Sequence, residues 1–289
     1  MTEAERHRTD RSNEAAAAGA FLPPPPRFTD VHCHCLPNLD DGPASRDEAL
    51  TLCRALLDDG VRTVVATPHQ LGRFETRTSA ATVREAVARL ARELQGEGLD
   101  LVVLPGAEVR LDERIGAFLA EDRILTVADR RRAVLLELPG DTFIDIEPLV
   151  VELVARNVVP LLVHPERNRP LLAHSGVLER WRACGAGLQV TAASLTGDLG
   201  TREEDAAWTL IEKGWVDAIA SDAHDYQDSP PRMTAAFKTL AAGLGADWAQ
   251  LLCVENPSRL VRGEKLISPP QGADRRFSDA SRRDGVPAQ

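Results

Sequence analysis

Seven short apolar runs recur along the 289-residue chain, separated by longer stretches with apolar residues at helical spacing. The runs are Phe28–His32, Thr63–Ala66, Leu101–Pro105, Ala133–Leu138, Val159–Val163, Gly187–Val190 and Ala218–Ser221. Amphipathic helices are predicted over Ser45–Asp59, Ser79–Gln95, Ile146–Asn157, Val177–Cys184, Arg202–Lys213 and Pro231–Leu244. Strands that alternate with helices specify a parallel sheet, because parallel neighbours need a crossover and the crossover is usually helical. A barrel and a doubly wound layer both satisfy the pattern, and both bind ligands at the carboxyl ends of their strands. Local signals agree. Ser45 with Glu48 forms a capping box, and Gly60, Gly96 and Gly214 follow predicted helix ends.

Residues 1–26 and 269–289 read as disordered tails around one domain, 27–268. The first is Ala-rich and then Pro-rich, the second rich in Pro, Gly, Arg and Ser, and neither can bury enough surface to fold. No run of eighteen apolar residues exists to insert into a membrane. The Ala15–Ala18 run follows a charged segment, unlike a secretory signal. Five cysteines at irregular spacing make no disulfide framework and suit a reducing, cytoplasmic setting. A formal net charge of −10 argues against a sequence-independent grip on nucleic acid or anionic membrane. An anionic substrate would therefore need a local positive site.

The residues just after the apolar runs form a consistent chemical set. They are His32-Cys33-His34 with Asp40-Asp41-Gly42, then Thr67-Pro68-His69, Gly106-Ala107-Glu108, Glu137, His164-Pro165-Glu166-Arg167, and Asp222-Ala223-His224. Five of the seven histidines fall here, leaving only His7 and His174 elsewhere. Period two in a strand puts His32 and His34 on one face, a usual seat for a divalent ion. Singly, each residue has a plain alternative: a hydrogen-bonded histidine, a turn at Asp40-Asp41-Gly42, or a Glu137 paired with Arg130, Arg131 or Arg132. Their convergence at one end of the sheet favours metal. Imidazole with carboxylate suits Mn, Fe or Zn better than Ca. Five histidines and four carboxylates exceed the needs of one ion, so two or three sharing carboxylates are expected. Clustered ions suit phosphoryl transfer, in which a hydroxide generated on them attacks phosphorus in line.

Beyond that chemistry, Asp30-Val31-His32-Cys33-His34 followed by Asp40-Asp41-Gly42 resembles the opening of the PHP-domain (polymerase and histidinol phosphatase) proteins. More narrowly, the chain resembles the bacterial manganese-dependent tyrosine phosphatases of capsule and exopolysaccharide loci. Further matches are Ala66-Thr67-Pro68-His69, Phe74-Glu75-Thr76, Gly106-Ala107-Glu108-Val109, Leu136-Glu137-Leu138-Pro139 and His164-Pro165-Glu166-Arg167. Leu188-Gln189-Val190-Thr191, Ala220-Ser221-Asp222-Ala223-His224 and Glu255-Asn256-Pro257 complete the series, which keeps its order from about residue 28 to 262. The resemblance implies an α/β fold, a distorted seven-stranded (βα)7 TIM-like barrel, holding three divalent ions, Mn first and Fe or Zn next. Its ligands carry over onto His32, His34, Asp41, His69, Glu108, Glu137, His164, Asp222 and His224. Arg167 and His69 would face the reacting phosphate. Relatives often carry Arg-Pro-Pro after the last histidine. Here the stretch reads Ser229-Pro230-Pro231-Arg232, which leaves Arg232 to take that role from beyond the prolines. The implied substrate is a phosphotyrosine protein, a bacterial tyrosine kinase that regulates polysaccharide export.

Three rivals stand beside this reading. One is another phosphoesterase on the same scaffold, acting on histidinol phosphate or a nucleotide. The second is a catalytically silent, metal-bound scaffold. The third is a thiol phosphatase using Cys253 and Arg259, whose loop is compromised by Glu255, which repels phosphate, and Pro257, which lacks an N–H.

Overall fold

The computed structural model describes residues 27–270. The segments 1–26 and 271–289, which hold the first predicted tail and all but residues 269–270 of the second, lie outside the described residues, as does His7. The architecture is α/β with parallel sheets. Its strands are β1 (Phe28–Cys33), β2 (Val61–Ala66), β3 (His69–Gln70), β4 (Val102–Pro105), β5 (Glu108–Arg110), β6 (Ala133–Glu137), β7 (Val159–Val163), β8 (Gly187–Thr191) and β9 (Ala218–Ala220). They form one sheet in the order β1-β2-β4 and another in the order β3-β5-β6-β7-β8-β9.

Among the described residues the seven predicted strands become nine, because the second and third are each followed, after a two-residue break, by a further short strand. Thr67 and Pro68 separate β2 from β3, and Pro68 has no N–H to donate to a ladder. Gly106 and Ala107 separate β4 from β5. A Cβ on Gly106 would lie 2.5 Å from Val65 Cγ1, so close approach requires glycine there. Hydrogen bonds persist across both breaks: Thr67 N–H donates to Cys33 O at 2.9 Å, and Gly106 N–H to Ala66 O at 3.0 Å. The edge strands β1 and β9 also meet. His34 N–H donates to Ala223 O at 2.8 Å, and Asp222 N–H to His32 O at 2.9 Å. Beneath them the buried Asp30 carboxylate accepts the Ser221 N–H at 3.0 Å and its hydroxyl at 2.5 Å.

Six long helices occupy the predicted stretches: Arg46–Asp58, Ala80–Gly96, Glu147–Ala155, Ser175–Ala183, Thr201–Glu212 and Met233–Leu244. Ser45 caps the first, accepting from Glu48 N–H at 3.2 Å, while Glu48 accepts the Ala44 N–H at 2.8 Å. After the second helix, Gly98 rather than Gly96 takes the left-handed turn, at φ 68°. The helix simply runs one residue further than the sequence signals. Both faces of the sheet are buried, and side chains alternate between them. Ala133 and Leu135 of β6 pack inward with Leu161, Val163, Ala218 and Ala220. Val134 and Leu136 face the helices instead. Truncating such a side chain, Leu135→Ala for example, costs about 2–5 kcal/mol. Among the described residues no helix is long and apolar enough to cross a membrane.

Candidate metal centre

The carboxyl ends of the strands converge on a cavity of ≈ 530 Å³, whose walls include Asp41, His69, Glu108, Glu137, His164, Arg167, Asp222 and His224. Eight of the nine expected ligands fall into three groups with donor atoms mutually within 4.8 Å. These are His32, His34, Glu108 and Asp222; His34, Asp41, His69 and His224; and His69, Glu108 and Glu137. His164 stands outside the groups but reaches them, its Nε2 lying 2.7 Å from Glu108 Oε1. His34, His69 and Glu108 each belong to two of the groups. Glu108 ties three histidines together, with Oε2 at 3.4 Å from His32 Nε2, 3.3 Å from His34 Nε2 and 3.1 Å from His69 Nδ1.

The first group tests whether an ion fits. His32 Nε2 and His34 Nε2 are 3.4 Å apart, and Asp222 Oδ1 lies 3.3 Å from the former and 3.6 Å from the latter. An ion with bonds of about 2.0–2.2 Å holds its donors roughly 3–3.5 Å apart, so the spacing matches. Tautomers point the same way. His32 Nδ1 lies 2.8 Å from Gln189 Oε1, and His34 Nδ1 lies 2.7 Å from Asp40 Oδ2. Each Nδ1–H therefore donates outward, and each Nε2 presents a lone pair to the other and to two carboxylates. Lone pairs and anions facing one another in a buried site call for a cation.

Without an ion, protons fill that need. Burial pushes the His32 imidazolium down, but Asp222 and Glu108 beside it more than offset this and raise its pKa to about 9. For His34 burial is again outweighed, here by Asp40 and Glu108, and its pKa also rises well above the ordinary value. Glu108 is buried too, yet His32 and His164 hold it well below the usual carboxylate range. The mouth behaves differently. Burial lowers the His69 pKa to about 4, and burial followed by the Glu108 charge raises that of Glu137.

Backbone strain helps to place two members. His164 and Asp222 adopt left-handed conformations, at φ 38° and φ 54°. Non-glycine residues pay for such geometry, and it concentrates at functional sites. The His164 N–H is anchored on Gln189 O at 2.9 Å.

Several participants escaped the sequence reading. Asp40 accepts from His34, from the His69 N–H at 3.0 Å and from the Gly42 N–H at 3.1 Å, so the Asp-Asp pair splits into a supporting and a cavity-facing carboxylate. Gly42 is required there, since a Cβ would meet His34 O at 2.4 Å. Gln189 could have been suspected, as β8 alternation directs it inward with Thr191. Arg73, Phe74 and Arg110 also line the cavity, and the Phe74 ring lies parallel to that of His69 at 5.7 Å.

Other expectations are corrected. Arg232 is not among the cavity walls; it precedes the helix Met233–Leu244, and its Nε lies 3.4 Å from Asp198 Oδ2. Ser229 instead braces the last histidine, its carbonyl accepting the His224 N–H at 3.1 Å. Glu137 pairs with Arg110, at 3.5 Å, rather than with an arginine from the 130–132 turn. Cys253 is buried in the helical turn Leu251–Glu255, burial pushes its thiol pKa up, and Arg259 is held by Glu255 at 2.9 Å. That thiol has neither the exposure nor the loop for nucleophilic attack.

Comparison with known proteins gives the family. Residues 28–262 match the family described as capsular polysaccharide synthesis, CpsB/CapC. The tyrosine-protein phosphatase YwqE of Bacillus subtilis (strain 168) is 32% identical over 249 residues, covering 86% of this chain and 97% of the relative. The tyrosine-protein phosphatase CpsB of Streptococcus pneumoniae is 28% identical over 244 residues, covering 82% and 99%. A solved chain, described among crystal structures of YwqE from Bacillus subtilis and CpsB from Streptococcus pneumoniae as unique metal-dependent tyrosine phosphatases, matches with TM-score 0.81 at 31% identity. It covers 85% of this chain and 99% of that one. With this match across nearly all the described residues, the chain belongs to the CpsB/CapC capsular polysaccharide synthesis family.

Proposed function

We propose that the chain is a metal-dependent protein-tyrosine phosphatase that hydrolyses phosphotyrosine on proteins, its physiological substrate a bacterial tyrosine kinase of capsule or exopolysaccharide synthesis. The observation that carries this is the meeting of three imidazole–carboxylate groups, linked through Glu108, His34 and His69, beneath a cavity that Arg167 also enters. We assign three divalent ions to His32, His34, Asp41, His69, Glu108, Glu137, His164, Asp222 and His224, with Mn ahead of Fe or Zn. We read the two sheets as one distorted seven-stranded barrel within a domain spanning 27–268, located in the cytoplasm. The CpsB/CapC membership and the tyrosine-phosphatase relatives support the reading.

Divalent ions held by these donors would supply Lewis acidity and a nucleophilic water at neutral pH. The chain's own groups do the rest. Arg167, now 2.6 Å from Asp222 Oδ2, offers guanidinium donors to phosphate oxygens. Phe74 and His69 present an aromatic wall to a phenyl ring. A phenolate leaves with a pKa of about 10, so the demand for a strong general acid is lower than with an alkyl phosphate.

The test is turnover of a phosphotyrosine peptide, histidinol phosphate and a nucleotide, each with manganese and with chelator. Manganese-dependent hydrolysis of the peptide ahead of the other two is expected. Undiminished activity after metal stripping would overturn the metal assignment, and preference for histidinol phosphate or the nucleotide would overturn the substrate.

A further inference from the structure

The three donor groups share a feature that metal binding alone does not explain. Each contains one carboxylate neutralised by an arginine of the cavity wall: Asp222 by Arg167 at 2.6 Å, Asp41 by Arg73 at 2.5 Å, and Glu137 by Arg110 at 3.5 Å. Cations at these groups would take over the neutralising role, and a guanidinium so relieved has free donors facing the cavity. Arg167 is already accounted for. Arg73 is 72% exposed at the outer lip, whereas Arg110 is 46% exposed and is held in place by its surroundings.

That support is specific. Leu71 and Gly72 both adopt positive φ, 70° and 59°, which turns the chain onto the Arg110 side chain. A Cβ at Gly72 would stand 2.8 Å from Arg110 Cδ, so the stem of Arg110 packs directly on the glycine. At its base, Arg110 is fixed by the β5–β6 ladder opposite Glu137 itself. A stem packed on a strained turn, with its charged end in the cavity, is the construction expected of a residue that positions a ligand.

We infer that Arg110 is a substrate-binding residue, a second guanidinium anchor for phosphate that works with Arg167 in the metal-loaded protein. This rests on the phosphatase reading above.

The test titrates inorganic phosphate calorimetrically into the manganese-loaded full-length chain, wild type and Arg110→Ala, with bound manganese measured on the same samples. A charge-assisted hydrogen bond lost from a bound anion predicts about tenfold or greater weakening, with manganese content unchanged. Arg110→Lys, which keeps the charge and the aliphatic stem, should recover part of the affinity and guards against a folding defect in the alanine variant. Equal phosphate affinity in wild type and Arg110→Ala would overturn the inference, as would a loss that tracks lost manganese. A wild-type chain that neither binds phosphate nor hydrolyses phosphotyrosine would instead remove the underlying reading, and this inference with it.

Discussion

At the floor of the cavity His32, His34, Glu108 and Asp222 are at most 6% exposed, whereas at its mouth Asp41, His69, Glu137 and His224 are 18–37% exposed. The floor is also braced from behind, by Gln189 and Asp40, and it holds protons where an ion is wanted. Its donors are fixed before any ion arrives. The mouth is looser: Asp41 and Glu137 rest on arginines, and the His69 imidazole is already neutral at pH 7. On the proposed reading the difference separates two tasks. A preorganised floor would secure an ion, and a mouth of exchangeable charges would meet the substrate.

The strongest way to break that contrast is to remove a carboxylate that spans it. Glu108→Gln should lower phosphotyrosine turnover by more than about a thousandfold and deplete metal from floor and mouth together. Metal analysis beside a peptide assay checks it. At the mouth, Asp41→Asn should cost less, roughly ten- to a hundredfold in turnover, with the floor ion retained. If both variants lose all metal, the two levels are one.

Acidity sharpens the comparison further. With its folded pKa at about 9, His32 is protonated at pH 7 in the metal-free chain, and an ion must displace that proton. Floor affinity should therefore rise with pH toward 9, by about tenfold per unit for each proton displaced, while His69 adds no such dependence above its value of about 4. Calorimetry in buffers of different ionisation enthalpy counts the protons. The same shift acts on the metal-free fold: the His32 contribution is full below pH 6.5 and is lost as pH climbs through about 9. His69 has the opposite sign. Because its folded value is the lower one, stability is lost as pH falls from 6.5 through about 4.

Smaller effects lie behind the ligands. Gln189→Leu removes the acceptor that orients His32 and should weaken floor metal about tenfold, read by chelator competition, with less effect on the mouth. Least of all, Cys253→Ser should leave turnover unchanged, because that thiol is buried away from the cavity. Any marked loss there in a folded variant would reopen the thiol mechanism.

Much of this was legible in the sequence, and the exceptions have physical causes. Alternating apolar runs gave the parallel α/β class, because strand and helix periods are local properties. The candidate ligands could be read because a parallel fold gathers whatever follows its strands. The short strands His69–Gln70 and Glu108–Arg110 were hidden, since each is only two or three residues long and follows a break at Thr67-Pro68 or Gly106-Ala107. Arg232 was misplaced because the direction of a side chain beyond two prolines depends on Asp198, far away in sequence. The contact of Gln189 with His32, and that of Asp40 with the His69 N–H, likewise join residues far apart in sequence, and no local spacing encodes them.

The most direct measurement is anomalous diffraction at the manganese edge from crystals of the loaded chain. The account predicts more than one peak in the cavity, one of them enclosed by His32, His34, Glu108 and Asp222, and Glu108 adjoining at least two. A cavity without peaks, or a lone ion that does not touch Glu108, would contradict it.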